Sequence, residues 1–426
     1  MTLVVAVFLI TLILGVPICV VLGLAGLTHV ASMGVDAYFN IITQKIFAGA
    51  SVSSLTCIPF FIMAGELMNA MGVTQKLIDF VRSLVGHLRG GLAYVVVLVA
   101  MILSAILGSA NAVAAILCAV VVPEMIRDGY RDDFSSALVC ASGVLGPVIP
   151  PSVTFVYFSV LSGVSVTAMF AGGAIPGILI GLGYILVIRI QTKRLNLPRS
   201  TERFDLKEFG KSFVKAIPAL LVPVILVGGI TAGIFTPQES GAVAVVAAIV
   251  AGIIYRKFKL SMLPKVFMRS VPVTAGIFII IGFGNIMGWS MAVDKIPDKI
   301  SNAVLGFTQN GAVIILLMFA ILIVVGCAME ATAAQLIFTP VLMPLAAAAG
   351  MDMVQFGVWF CIMITLGLVT PPVGMTLFVT SNITKVPLIR ISKQLLPFII
   401  VAFAVTLLMA YVPGIIMFLP NLMGIT

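Results

Sequence analysis

Residues 145–165 read LGPVIPPSVTFVYFSVLSGVS, and residues 367–383 read GLVTPPVGMTLFVTSNI. Each places a diproline step, Pro150-Pro151 or Pro371-Pro372, inside a long apolar run. Proline has no N–H to donate and pushes the residue before it out of helical geometry. Such a step therefore releases several carbonyls from their helical partners. Inside a bilayer, released carbonyls persist only where protein, water or a ligand meets them. A lone intramembrane proline is explained by a kink. Here two interruptions recur in matching register. Each faces a polar hairpin tip: Gly108-Ser109-Ala110-Asn111 inside the run 90–125, and Gly326 through Thr332 inside the run 311–346.

The surrounding composition fixes the solvent. Of 426 residues, 61% are hydrophobic and 9% charged, where a soluble domain carries roughly a quarter charged residues. Mean hydropathy is +1.25. A soluble enzyme, a nucleic-acid-binding protein and a disordered regulator are excluded; the chain reads as an all-α integral membrane protein. The formal charge of +9 sits almost wholly in short segments between apolar runs, which is a topology signal and not a nucleic-acid footprint. The first basic residue is Lys45, so the opening run lacks the positive flank of a cleaved signal peptide and reads as retained structure. Six scattered cysteines form no CxxC pair and read as small buried hydrophobes.

Adding 221 to a residue number in the first half reaches a matching landmark in the second: Gly90 to Gly311, Pro123 to Pro344, Gly146 to Gly367, Pro150-Pro151 to Pro371-Pro372, and Pro176 to Pro397. A single register held without a gap over such a length implies duplication. The first repeat is expected over 1–192, with an arm at 73–89, a hairpin at 90–125 and a broken helix at 134–163. A polar linker follows at 193–214. The second repeat covers 215–426, with an arm at 294–309, a hairpin at 311–346 and a broken helix at 353–384. A cytoplasmic linker places 21 of the 24 Lys and Arg inside, leaving Lys45, Lys295 and Lys299 outside, in accord with the positive-inside rule. Each half then has five crossings and one re-entrant hairpin. Because five is odd, the two repeats have inverted topology. Whether 2–14 crosses alone or fuses with 17–32 stays open.

Inverted repeats with interrupted helices are a transporter arrangement, with the site where the interruptions meet. Converging carbonyl and hydroxyl oxygens suit a small hard cation, and Na+ fits better than a transition metal because His29 and His87 both lie away from the breaks. No Lys or Arg lies near them either, so an anionic substrate needs bound cations and half-helix N-termini for compensation. Asn111, Ser142, Thr154, Tyr157, Gln335 and Thr376 are the polar groups best placed to touch it. Glu330, which aligns with Ser109, is an intramembrane acid with a structural or a site role. Glu66 and Glu239 are expected near helix ends, in structural hydrogen bonds or in gating.

Those two diproline stretches, together with IPFFIMAGELMNAMG (58–72) and GIFTPQESGAVAVV (233–246), resemble the signatures of the large membrane subunit of TRAP transporters, the DctM family, over essentially the whole chain. The resemblance implies a sodium-dependent secondary transporter of small organic anions in a bacterial inner membrane. It also implies an elevator mechanism, with hairpins and broken helices moving against a scaffold. Implied partners are a small four-helix membrane subunit, a periplasmic substrate-binding protein and membrane lipid. Two or more Na+ are implied, one among Ser104, Ser109, Asn111, Gly146, Val148 and Pro151, another among Gly326, Thr332, Gly367, Thr370 and Met375. Sialic acid, related sugar acids, dicarboxylates and other carboxylates are family substrates, and sialic acid is the leading expectation.

The alternative within transport is a stand-alone sodium–anion symporter needing no binding protein. An intramembrane enzyme lacks its chemistry here: the sequence has no HExxH motif, no paired aspartates within one apolar helix and no Ser–His dyad. A primary pump would need a GxxxxGK[ST] phosphate loop, which is also absent. A passive channel would be excluded by saturable accumulation against a gradient.

Overall fold

The computed structural model describes residues 2–35, 37–199, 204–371 and 374–425. Among these it contains helices and no strand, with one isolated bridge between Arg89 and Arg199. A helix satisfies its own backbone, which is what lipid demands. The first half contains α1 (Thr2–Ile13), α2 (Ile18–Ser32), α3 (Ala37–Ala50), α4 (Cys57–Ala70), α5 (Val73–Val85), α6 (Gly91–Leu107), α7 (Ala110–Arg127), α8 (Asp132–Gly143), α9 (Val153–Ser162) and α10 (Val166–Arg194). The second contains α11 (Leu206–Thr231), α12 (Pro237–Ile254), α13 (Leu263–Val293), α14 (Ile296–Phe307), α15 (Gly311–Ala328), α16 (Ala331–Ala348), α17 (Met353–Gly367), α18 (Met375–Thr384), α19 (Leu388–Tyr411) and α20 (Gly414–Leu422). Among the described residues seven helices are long and apolar enough to cross a bilayer, or eight with the bent α3–α4 pair counted as one span. The half-helices on either side of each diproline break are individually too short to be counted.

The 221-residue register is visible in the helices themselves. Shifted by it, the bounds of α7 become 331–348, those of α16. The starts of α6, α8, α9 and α10, shifted likewise, fall within one residue of the starts of α15, α17, α18 and α19. Ahead of the arms the halves differ. α13 runs unbroken for 31 residues, whereas the matching α3 and α4 bend by 49° across the segment between them.

Packing divides the helices into two groups. α7 lies against α8 and α18, and α16 against α17 and α9, so each hairpin touches both broken helices. Around them α4 packs on α12 and α13, and α13 on α2 and α3. The arm α5 holds the base of the first hairpin, where Arg82 reaches Glu124 near the end of α7 at 3.5 Å. The second hairpin closes at its own base, where a β-carbon on Gly311 would lie 2.7 Å from the Ala349 carbonyl.

Several sequence boundaries need correction. α3 is a helix that the hydropathy pattern passes over, because Asn40, Thr43, Gln44 and Lys45 dilute its apolar face. Residues 206–214, expected in the linker, form the first turns of α11, capped by Asp205, whose carboxylate accepts from the Lys207 N–H at 2.8 Å. Of the linker, 200–203 lie outside the described residues. α13 begins at Leu263, within the basic segment 256–270 that separates two apolar runs. α1 and α2 are separate helices packed on each other, as α11 and α12 are. The 12 residues of α1 span about 18 Å, short of a hydrocarbon core of roughly 30 Å.

Candidate functional site

The first hairpin turns at Gly108, whose φ of 59° is the left-handed conformation glycine adopts without penalty. Ser109 follows in extended conformation as the N-cap of α7. This tip is seated on the first break. A β-carbon at Gly146 would lie 2.6 Å from the Ser109 carbonyl oxygen, and one at Gly108 would lie 3.0 Å from that of Pro151. Within the break, the N–H groups of Val148 and Ile149 both go to Leu145 O, at 3.1 and 3.0 Å. Ser152 caps α9 by accepting from Phe155 N and donates its own proton to Pro147 O. The carbonyls of Gly146, Val148 and Pro151 accept no hydrogen bond among the described residues.

The second tip repeats the seating. Gly326 lies against Gly367 so closely that a methyl group on Gly367 would overlap the Gly326 backbone. Pro372, with the break predicted at the second diproline step, lies outside the described residues. Two predicted hydroxyl ligands share one geometry. Ser104 donates to Ala100 O at 2.6 Å and Thr370 to Leu366 O at 2.7 Å. Each hydroxyl thereby disposes of its proton and keeps lone pairs that a cation can use.

Both tips, the first break, and Leu368 and Met375 on either side of the second diproline step line one cavity of about 220 Å³. Of the predicted substrate contacts, Asn111, Thr154, Tyr157, Glu330 and Gln335 line it. Of the predicted sodium ligands, Ser109, Asn111, Thr332 and Met375 do. The remaining two substrate candidates do not. Thr376 stands behind Asn111, donating to its Oδ1 at 2.7 Å, a bond that ties α7 of one half to α18 of the other. Ser142 is buried in α8 with an unpartnered hydroxyl.

Polar groups in the cavity are unevenly satisfied. Gln335 Nε2 reaches Cys361 Sγ at 3.2 Å, and that thiol points to the Thr154 carbonyl. Gln335 Oε1 and the Tyr157 hydroxyl, both buried, have no partner among the described residues. An unmet buried polar group costs about 1–3 kcal/mol. Glu330 is the single charged side chain among the described residues lining the cavity. Its Oε2 accepts from the N–H groups of Thr332 and Ala333 at 2.8 and 3.2 Å, and its Oε1 from the Thr332 hydroxyl at 3.1 Å.

A family model described as the tripartite ATP-independent periplasmic transporter, DctM component, matches residues 5–415. The chain belongs to the DctM family. Among relatives of this TRAP permease, the 2,3-diketo-L-gulonate TRAP transporter large permease protein YiaN of Escherichia coli is 36% identical, over 88% of this chain and 89% of its own. The C4-dicarboxylate TRAP transporter large permease protein DctM of Pseudomonas aeruginosa is 35% identical over 95% of each. The sialic acid TRAP transporter large permease protein SiaM of Vibrio cholerae is 33% identical over 90% of each. These relatives are permeases and not enzymes, and the chain is a multi-pass protein of the bacterial inner membrane. The crystal structure of the YdaH transporter of Alcanivorax borkumensis matches with a TM-score of 0.61, covering 89% of this chain and 88% of its own, at 13% identity. That likeness concerns the fold of a membrane transporter alone.

Sequence reasoning missed the cavity's outer wall. Ile62 on α4 and Val273 and Ile277 on α13 line it, yet an apolar residue in an apolar helix carries no signal of facing a site. Among the acids, Glu239 closes a capping box with Thr236, accepting the Thr236 N–H at 2.8 Å, which is the structural role expected at a helix end. Glu66, half-buried in α4, makes no hydrogen bond or ion pair among the described residues.

Proposed function

We propose that this permease carries out sodium-coupled uptake of a small organic anion handed over by a periplasmic substrate-binding protein, together with a small four-helix membrane subunit. One observation carries the reading. Two hairpin tips and a diproline break meet at a cavity that has hydroxyl and amide side chains, half-helix N-termini and no basic side chain among its described lining residues. Behind it the carbonyls of Gly146, Val148 and Pro151 accept no hydrogen bond among the described residues. Na+ is cargo here. The carbonyls of Gly146, Val148 and Pro151, with Ser104, Ser109 and Asn111, form one group of ligands. Gly326, Thr332, Gly367, Thr370 and Met375 form the other. Ions held there supply the positive charge an incoming carboxylate needs, which couples the two fluxes. The hairpins and broken helices move as one body past the wall of α4 and α13, in an elevator mechanism. Relatives named for three different acids stand at 33–36% identity, so overall likeness does not choose among them; a sugar acid such as sialic acid is our reading.

Reconstitution tests this. Liposomes holding both membrane subunits, with binding protein outside, should accumulate the acid only with an inward Na+ gradient. Undiminished uptake with K+ in place of Na+ refutes the coupling, and uptake by this chain alone favours a stand-alone symporter. One net charge crossing 100 mV is worth about 2.3 kcal/mol, so an imposed potential should change the rate if Na+ charge exceeds that of the acid.

A further inference from the structure

Far from the cavity, the start of the linker holds two arginines side by side. α10 is long and apolar enough to cross the bilayer and ends at Arg194, on the side that the positive-inside rule makes cytoplasmic. Asn196 then takes a left-handed turn, with φ of 52°, and the chain folds back onto the joint between α5 and α6. There the Gly90 N–H donates to Pro198 O at 2.9 Å, and Arg89 pairs with Arg199 in the isolated antiparallel bridge. A bond from the residue after one member to the residue before the other marks the narrow kind of pair, whose side chains lie closest. Gly90 permits the approach, since a β-carbon there would lie 3.2 Å from Thr192 Oγ1 and 3.3 Å from Leu197 Cδ1.

Like charges directly opposite destabilise such a pair, and no acid offsets this one. Arg89 donates only to neutral acceptors, from Nε to Leu197 O at 3.3 Å and from Nη2 to Asn196 Oδ1 at 2.7 Å. The Arg199 side chain makes no hydrogen bond or ion pair among the described residues. Both line a surface depression of about 700 Å³ together with His87, whose Nδ1 is buried without a partner. Three basic side chains and no acidic one line it among the described residues. The depression on the other side of His87 is different: there Asp79, Asp205 and Glu208 balance Lys76, Arg82 and Lys215.

We propose that the basic depression binds the phosphate of an acidic phospholipid headgroup, which sits between Arg89 and Arg199 and fastens the start of the linker to the joint of arm and hairpin. A guanidinium fork matches phosphate oxygens, and one anion between the two forks removes their repulsion. His87 supplies a third donor when Nδ1 carries its proton. Positive-inside bias explains basic residues on this side of the membrane; it does not explain two of them opposed across a backbone pair without an acid. A lipid fits better than a soluble phosphate because apolar surface adjoins the charge. Leu88, 42% exposed, lines the depression, and Phe204, 47% exposed, lies with its ring 5.5 Å from that of His87. The anionic inner leaflet concentrates such headgroups beside juxtamembrane basic clusters.

The test uses the purified complex of this chain with its small subunit, titrated with short-chain phosphatidylglycerol, short-chain phosphatidylcholine or inorganic phosphate, with thermal stabilisation as the readout. Half-maximal stabilisation should need at least tenfold less phosphatidylglycerol than phosphatidylcholine. Arg199→Gln, at an exposed and unpaired position, should shrink that preference to less than threefold, and Arg89→Gln should act in the same sense. Lys259→Gln removes an exposed basic charge from another segment on the same side and should leave the preference intact. Inorganic phosphate should compete with phosphatidylglycerol, yet need a hundredfold higher concentration. Equal response of the wild type to both lipids, or an unchanged preference in Arg199→Gln, overturns the proposal. The same loss in Arg199→Gln and Lys259→Gln overturns it too, because general surface charge would then be enough. If inorganic phosphate matches phosphatidylglycerol, the ligand is a soluble phosphate and the lipid assignment fails.

Discussion

The hairpins and broken helices of the two halves superpose in sequence almost bound for bound, whereas the arms in front of them do not behave alike. α5 buries Val73, Thr74, Leu77, Ile78 and Val81, held between α6 and α11. Its Phe80 ring lies 5.8 Å from Phe209 and 5.6 Å from Phe213 of α11. α14 buries only Ser301 among its described residues and leans on α16, the second leg of its hairpin, where α5 lies on the first leg of its own. Phe307 at its end is 81% exposed. The α11 residues that grip α5 precede the part of α11 in register with α1, so the clamp lies outside the duplicated pattern. Register survives where the halves must converge on one cavity; it is free to lapse where a helix meets lipid or water.

The sharpest way to break this contrast is to test whether the core is as symmetric in function as in sequence. Gly146 and Gly367 are register twins, and each lacks room for a methyl group against the opposing hairpin tip. Gly146→Ala and Gly367→Ala should each push a tip off its break and reduce Na+-driven uptake about a hundredfold, the scale expected when a site is displaced by about an ångström. Apparent Na+ affinity in the same liposomes should fall with it. Near-normal uptake in either variant would show that the tips need not seat for transport.

The arms offer a milder test. If the moving body exchanges environments between its two end states, the equivalent contacts of the two halves should also exchange. Leu77, buried on α5, should become more reactive in the other state, and Ile300, 39% exposed on α14, less so. Leu77→Cys and Ile300→Cys, in a background without the native cysteines, should change labelling rate several-fold in opposite directions when Na+ and substrate-loaded binding protein are added. Changes of the same sign would remove the exchange.

How much of this was legible beforehand follows the same division. The diproline steps and hairpin tips announce themselves because Pro, Gly, Ser and Asn are rare inside apolar runs, and each has a backbone consequence. Hence Ser109, Asn111, Tyr157, Glu330 and Gln335 could be named from sequence and do line one cavity. Ile62, Val273 and Ile277 could not, since nothing distinguishes an Ile facing the site from one facing lipid. α3 was missed because its polar residues look like a loop until Asn285 of α13 is seen donating to the Lys45 carbonyl at 2.8 Å. The self-capping of Glu330 was equally hidden, because an acid beside a hairpin tip reads as a ligand as readily as a cap. Ser142 and Thr376 were near misses of depth: pattern places a residue on a helix but does not say which layer its side chain reaches.

The smallest expected effect concerns the base of the exposed arm. Asp294, the C-cap of α13 just before α14, takes a hydrogen bond at 2.7 Å from the Nε2 of His29, buried in α2. The hydrogen bond to His29, helped by the charge of nearby Lys299, holds the Asp294 carboxyl below its usual value. A carboxylate with a lowered folded-state pKa stabilises the fold above its unfolded value, about 3.9, and that contribution is lost as pH falls through the folded value. Asp294 is one-third exposed, and a pair so placed is worth about 0.5–1 kcal/mol. Asp294→Asn should therefore lower the melting temperature slightly at pH 6–7, and the difference from wild type should shrink to nothing in acid. If the two melting curves instead diverge further in acid, the pair is not what steadies α14, and the arm's exposure must be compensated by lipid or by a neighbouring subunit.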